Sequence, residues 1–160
     1  MEDYLQLLEE SLIKKIAVLD RIGEFNRKQK DIFLADVDAP DLEKFDSYVE
    51  EKEKLIEELN ALDDGFEVLY GRVAESLKAN KEENAPRIKR LQDLIREITD
   101  KSVTLQAEEA ENKRLMEDYF RSLKEGIGKG RTSLNAAYSY FQSQRGGLNG
   151  SDSLYVDSKQ

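Results

Sequence analysis

Neighbouring carboxylates recur along this chain, as at Glu9 and Glu10, Glu50 and Glu51, Glu57 and Glu58, Asp63 and Asp64, and Glu108 and Glu109. Such pairs could serve acid–base or metal chemistry where the two groups converge. Successive residues on a helix diverge by about 100°, so these pairs read as solvated faces. The chain has no histidine, which removes the commonest general base, the imidazole ligands of zinc sites and the Glu-x-x-His ligation of di-iron bundles. It has no cysteine, so neither a thiolate nucleophile nor a disulfide is available. The stretch "DVDAPDLEKFDS" opens like a calcium loop with Asp36 and Asp38, but Asp41 stands where the sharp turn needs glycine. Ser47 stands where a bidentate carboxylate is required. "GIGKGRTS" lacks the spacings of a phosphate loop and comes after a helical pattern rather than a strand. It reads as a hinge. Nothing sets Ser102 or Ser122 beside a lysine as a Ser/Lys hydrolase would need. The expectation is a protein that is not an enzyme and uses no cofactor and no metal.

What remains is binding chemistry, concentrated at the end of the chain. "RTSLNAAYSYFQSQ" puts Leu134, Ala137, Tyr138 and Phe141 on one face of a short helix over 131–144, with Tyr140 beside them. This segment has two uses open to it. It can fold back as a fourth helix, or it can dock on a partner as a helix in a groove, and the two can alternate. Burying Leu134, Tyr138 and Phe141 yields roughly 5–8 kcal/mol gross, at about 1.5–3 kcal/mol each. Ordering a flexible segment takes back about 2–5 kcal/mol. A useful complex must therefore also engage the rest of the molecule.

Hydrophobic spacing predicts the elements that would position this segment. Leu5, Leu8, Leu12, Ile16, Leu19 and Ile22 step by three and four, predicting a first helix over about 2–34. Pro40 breaks the pattern, and Asp41 or Asp38 can cap the next helix. That second helix has Leu42, Phe45, Val49, Ile56, Leu59, Leu62, Phe66, Leu69, Val73 and Leu77 on its stripe, with Lys52 the one polar intrusion. After "KANKEENAPR", with Asn84 as N-cap and Pro86 in the first turn, a third helix shows Ile88, Leu91, Ile95, Ile98, Leu105, Met116, Tyr119 or Phe120, and Leu123. Its middle is thin, with Ser102, Ala107 and Ala110 where large residues are expected. Gly126, Gly128 and Gly130 stop it near residue 125. Gly65 and Gly71 predict a kink or a close backbone approach in the second helix. One apolar stripe per helix makes mutual burial the simplest solution, and short breaks force neighbours to run antiparallel.

The predicted fold class is all-α: an elongated antiparallel bundle of three long helices over 1–125, then a Gly/Ser-rich tail over 126–160. The tail holds the short C-terminal amphipathic helix on a flexible tether. Charged residues make up 37% of the 160 residues, a composition typical of long helices. The net charge is −9, with 21 acids against 11 bases in residues 1–80 and 13 against 14 beyond. Such a balance argues against a nucleic-acid partner. "MEDYLQLLEESL" has neither the basic start nor the apolar core of a signal peptide, and no apolar run is long enough to span a bilayer. Cytoplasmic residence without membrane insertion is expected.

Three blocks, "LEKFDSYVEEKEKLIEELNALDDGFEVLYGRV", "RIKRLQDLIREITDKSVTLQAEEAENKRLMEDYF" and "AAYSYFQ…SLYVDSKQ", together resemble the FlgN-like family of flagellar type III export chaperones. The likeness lies in E-K-x-x-L-I-x-x-L over 51–59, D-x-G-F over 63–66, S-V-T-L-Q over 102–106 and the closing Tyr-Val-Asp. It implies a small, acidic, cytosolic, non-enzymatic chaperone that holds hook-associated (hook–filament junction) flagellar proteins and delivers them to export-gate components. Its C-terminal region would bind the client, a role that falls here to Leu134, Ala137, Tyr138, Tyr140, Phe141 and Tyr155. The chaperone is expected as a monomer or weak homo-oligomer. The rival expectation is a structural coiled-coil protein that self-assembles through its apolar stripes.

Overall fold

The structure, a computed structural model, describes residues 2–126. They form three α-helices, α1 (Glu2–Ala35), α2 (Leu42–Ala79) and α3 (Ala85–Gly126), and no strand is found among them. The all-α expectation holds for these residues. The expected short helix over 131–144 lies outside them.

Local chemistry sets the boundaries. Asp36 Oδ1 accepts from the Ala39 backbone N–H at 3.0 Å, closing a turn ahead of Pro40. Asp41 then caps α2, its Oδ1 accepting from the Lys44 N–H at 3.0 Å. At the other end of α2, the Asn80 N–H donates to Ser76 O at 3.1 Å. Asn84 takes the place ahead of α3, and its carbonyl accepts from the Ile88 N–H at 2.9 Å. Its side chain does not cap: Nδ2 turns back to donate to Asn80 O at 3.1 Å, tying the new helix to the end of the old one. Pro86 sits in the first turn of α3, where its missing N–H leaves no bond unmade.

Helix α1 lies between the other two and packs against both. Lys15 meets Asp63, Asn26 meets Lys52, and Gln29 meets Phe45, so α2 runs antiparallel to α1. Arg87 meets Glu2, Lys101 meets Asp20, and Phe33 meets Tyr119, so α3 runs parallel to it. Helices α2 and α3 touch through side chains and not through close backbone approach. The tight seam is between α1 and α3 at Gly23, where an added Cβ would lie 3.5 Å from Leu105 Cδ2 and 3.2 Å from Arg27 Nη1. Of the two expectations for Gly65 and Gly71, a kink or a close backbone approach, the second is not met. A Cβ at either would meet nothing within 4 Å, so they permit no close approach.

The core is split in two. The larger cluster is aliphatic and draws on Leu5, Leu8, Leu12, Val18, Leu19 and Ile22 of α1, Leu55, Leu59, Val73 and Leu77 of α2, and Leu91, Leu94 and Ile98 of α3. The smaller is built from Phe33, Phe45, Val49, Met116 and Phe120, with Phe33 edge-on to Phe45 at 5.6 Å between centroids. The expected stripes differ from these clusters by single steps. Leu94 is buried in place of Ile95, and Leu55 is buried while Ile56 is half-covered. Ala107 and Ala110 face solvent, whereas Ser102 is buried.

Candidate functional site

Between the two apolar clusters lies a layer of polar side chains. Lys52 is 0% exposed, and its ammonium donates to Asn26 Oδ1 at 2.8 Å and to Glu109 Oε1 at 2.5 Å. Asn26 in turn donates through Nδ2 to Glu108 Oε1 at 3.3 Å, while its backbone carbonyl accepts from Asn112 Nδ2 at 3.0 Å. Arg27 reaches Glu108 from the surface at 3.5 Å. Gln29, also 0% exposed, donates through Nε2 to the Phe45 carbonyl at 3.2 Å. Thus α1 supplies an amide, α2 a cation and α3 a carboxylate, and the ion pair spans α2 and α3 where their backbones stay apart. A buried ammonium is tolerated only when paired and hydrogen-bonded, and both conditions are met. In the sequence Lys52 stands out as an intrusion on a stripe. Its partners Asn26 and Glu109 do not, because nothing in a single helix shows which polar positions its neighbours will enclose.

A second feature opens on the surface between α2 and α3. A trough of about 360 Å³ has Leu12 and Lys15 of α1 beneath it, Phe66, Glu67 and Tyr70 on the α2 bank, and Ile95 and Thr99 on the α3 bank. Each bank exposes a large apolar side chain: Tyr70 and Ile95 are each 44% accessible. Phe66 and Tyr70 are one helical turn apart and stack with rings 5° from parallel and centroids 6.2 Å apart. Val103, two turns beyond Ile95 on α3, extends the exposed apolar stripe. The trough exists because α1 is wedged between the other helices and holds them apart. Its floor is not wholly apolar, since Lys15 there pairs with Asp63 at 2.5 Å.

Shifted ionisations sit elsewhere, on the surface. Asp20 accepts from Lys101 Nζ at 2.7 Å and holds that ammonium's pKa above its ordinary value, a bond that also ties α1 to α3. Arg114, bound to Glu111 through two nitrogens, holds the carboxyl below its ordinary range. Among the described residues no group of three or more His, Cys, Asp or Glu side chains is placed to hold a metal ion, and no helix is long and apolar enough to cross a membrane.

The sequence-predicted binding residues Leu134, Ala137, Tyr138, Tyr140, Phe141 and Tyr155 all lie outside the described residues. Conversely, hydrophobic spacing does not reveal the trough: it places Phe66 and Ile95 on buried stripes and leaves Tyr70 without a role. The one signal for it is that Tyr70 and Ile95 each adjoin a residue, Leu69 and Leu94, that competes for the same inward direction. No family model, curated protein or solved structure matches this chain.

Proposed function

We propose that this protein is a FlgN-like export chaperone of the flagellar type III system. In this reading it binds hook-associated proteins in the cytosol, keeps them soluble and delivers them to the export apparatus. The single observation that supports the reading is the open trough, with Tyr70 and Ile95 held on opposite banks by two helices. The clients of such a system present amphipathic terminal helices that otherwise self-associate, and a helix in a groove is the standard way to cover them. The scaffold extends as an elongated bundle, and the tail residues Leu134, Ala137, Tyr138, Tyr140, Phe141 and Tyr155 complete the client contact. Neither ATP nor a metal takes part, and release comes from competition at the export gate. Covering the client suppresses its aggregation by mass action, while the acidic exterior keeps the complex soluble.

The test is co-purification with hook-associated clients, comparing the full chain with a truncation after Gly130. Loss of the client from the truncated form is the expected result; undiminished binding would remove the tail from the mechanism. A second reading, self-assembly, draws on Val68 and Val103, which are 57% and 62% exposed on α2 and α3. It expects stable oligomers in sedimentation at low micromolar concentration, where the chaperone sediments as a monomer or weak homo-oligomer.

A further inference from the structure

We infer that the trough between α2 and α3 is the seat of one amphipathic helix from a partner polypeptide, with an apolar face and a Lys/Arg-bearing flank. The apolar requirement comes from the two banks, Phe66 and Tyr70 facing Ile95 and Thr99 across the floor. The charge requirement comes from α2. Residues 55–71 contain five carboxylates and no base, and two of them, Asp63 and Glu67, line the trough itself. Lys15 offsets Asp63 from below, leaving Glu67 on the rim to meet an incoming cation. The α3 lining is Ile95, Ile98 and Thr99, all uncharged, so the basic flank must lie against α2. This fixes the rotation of the bound helix as well as its composition.

The chain's own segment 131–144 has suitable chemistry, with Arg131 at its start, Arg145 after it and no acid between. Its tether is too short. Thr99 lies 27 residues from Gly126 along α3, roughly 40 Å at about 1.5 Å per residue. With that segment helical, the linking residues 127–130 span at most about 14 Å and the rise from 131 to 141 adds about 15 Å, which leaves Phe141 short of the trough. The seat is therefore left to another molecule. The inference rests on the chaperone reading only for who the partner is; the chemistry of the seat stands on the trough.

The test uses the full chain and two fluorescent 18-residue helical peptides with the same leucine face, one with a lysine flank and one with a glutamate flank. Anisotropy should show the lysine peptide binding at least tenfold more tightly, Glu67→Lys should erase that preference, and Ile95→Glu should weaken both peptides by a similar factor. Both substituted side chains are exposed, so unchanged circular dichroism and melting are expected for each variant. Amide-exchange protection should appear over 62–70 and 95–99 when the lysine peptide is added. Equal binding of the two peptides, or protection elsewhere, overturns the proposal. So does protection of the trough without peptide: if it vanishes on truncation after Gly130 the occupant is the tail, and if it rises with protein concentration the occupant is a second copy. Client loss on tail truncation with no effect of Glu67→Lys or Ile95→Glu would sink this inference and leave client binding to the tail; peptide binding that follows the trough variants while the full chain captures no hook-associated client would keep the seat and sink the chaperone reading.

Discussion

Leu8 and Lys52 are equally shut off from water, both at 0% exposure, yet they sit in regions that do opposite things. Around Leu8 the packing is aliphatic and non-directional, and one leucine layer could slide onto the next by a helical turn with little change in burial. Around Lys52 the same slide would strand an ammonium against hydrocarbon and leave Glu109 and Asn26 unpaired. The apolar regions therefore hold the helices together, and the polar layer tells them where to stop. A single polar residue at a core position is known to fix register in coiled coils at some expense in stability, and Lys52 stands in that relation to α1 and α3.

Substitutions can break this contrast or sharpen it. Phe45→Ala, which opens a cavity in the aromatic cluster, should lower unfolding free energy by about 3–5 kcal/mol in urea titration. Lys52→Ala should lose about 3 kcal/mol, mostly because Glu109 and Asn26 are left facing no cation. The informative variant is the triple Lys52→Met, Asn26→Leu, Glu109→Leu. Its stability should be unchanged or raised by about 1–2 kcal/mol, while doubled amide resonances report helices in more than one register. A triple variant as unstable as Lys52→Ala, with a single set of resonances, would contradict the division of labour. Gly65→Ala and Gly71→Ala should each stabilise by about 0.5–1 kcal/mol, because the new methyl meets no atom and the helix gains propensity.

The smallest effect belongs to the surface pair of Lys101 and Asp20. Lys101→Met should lower stability by a few tenths of a kcal/mol at neutral pH and moderate salt. Because the folded state raises the lysine's pKa above 10.5, this increment is whole below that value and fades as pH rises past it. The difference between wild type and variant should therefore close at strongly alkaline pH. A difference that persists there would assign the effect to packing of the lysine's methylenes.

Helix number and ends are legible in the sequence because they depend on local chemistry: Pro40 and Pro86 forbid helix continuation whatever the tertiary context, and Asp41 caps with its own side chain. Stripe membership is legible to within one residue. Leu55 and Ile56, or Leu94 and Ile95, are adjacent apolar residues about 100° apart, and only the position of the neighbouring helix decides which turns inward. The middle of α3 misleads for a related reason. Small residues there look like missing bulk, whereas Asn26, Lys52 and Asn112 occupy the interior at that level. The trough is illegible for a topological reason, since it is made by the distance between α2 and α3, and no single helix encodes a distance to another.

The complete enclosure of Lys52 gives the protein a built-in chemical recorder. Amine-reactive reagents modify exposed lysines such as Lys54 and Lys89 at rates set by their own nucleophilicity, but they can reach Lys52 only in the fraction of molecules whose helices have separated. The acylation rate at that one position, read by peptide mapping, is a clock for opening that runs in the native solvent without denaturant. Any acyl group found there in material taken from cells is a record of a moment when that molecule had come apart.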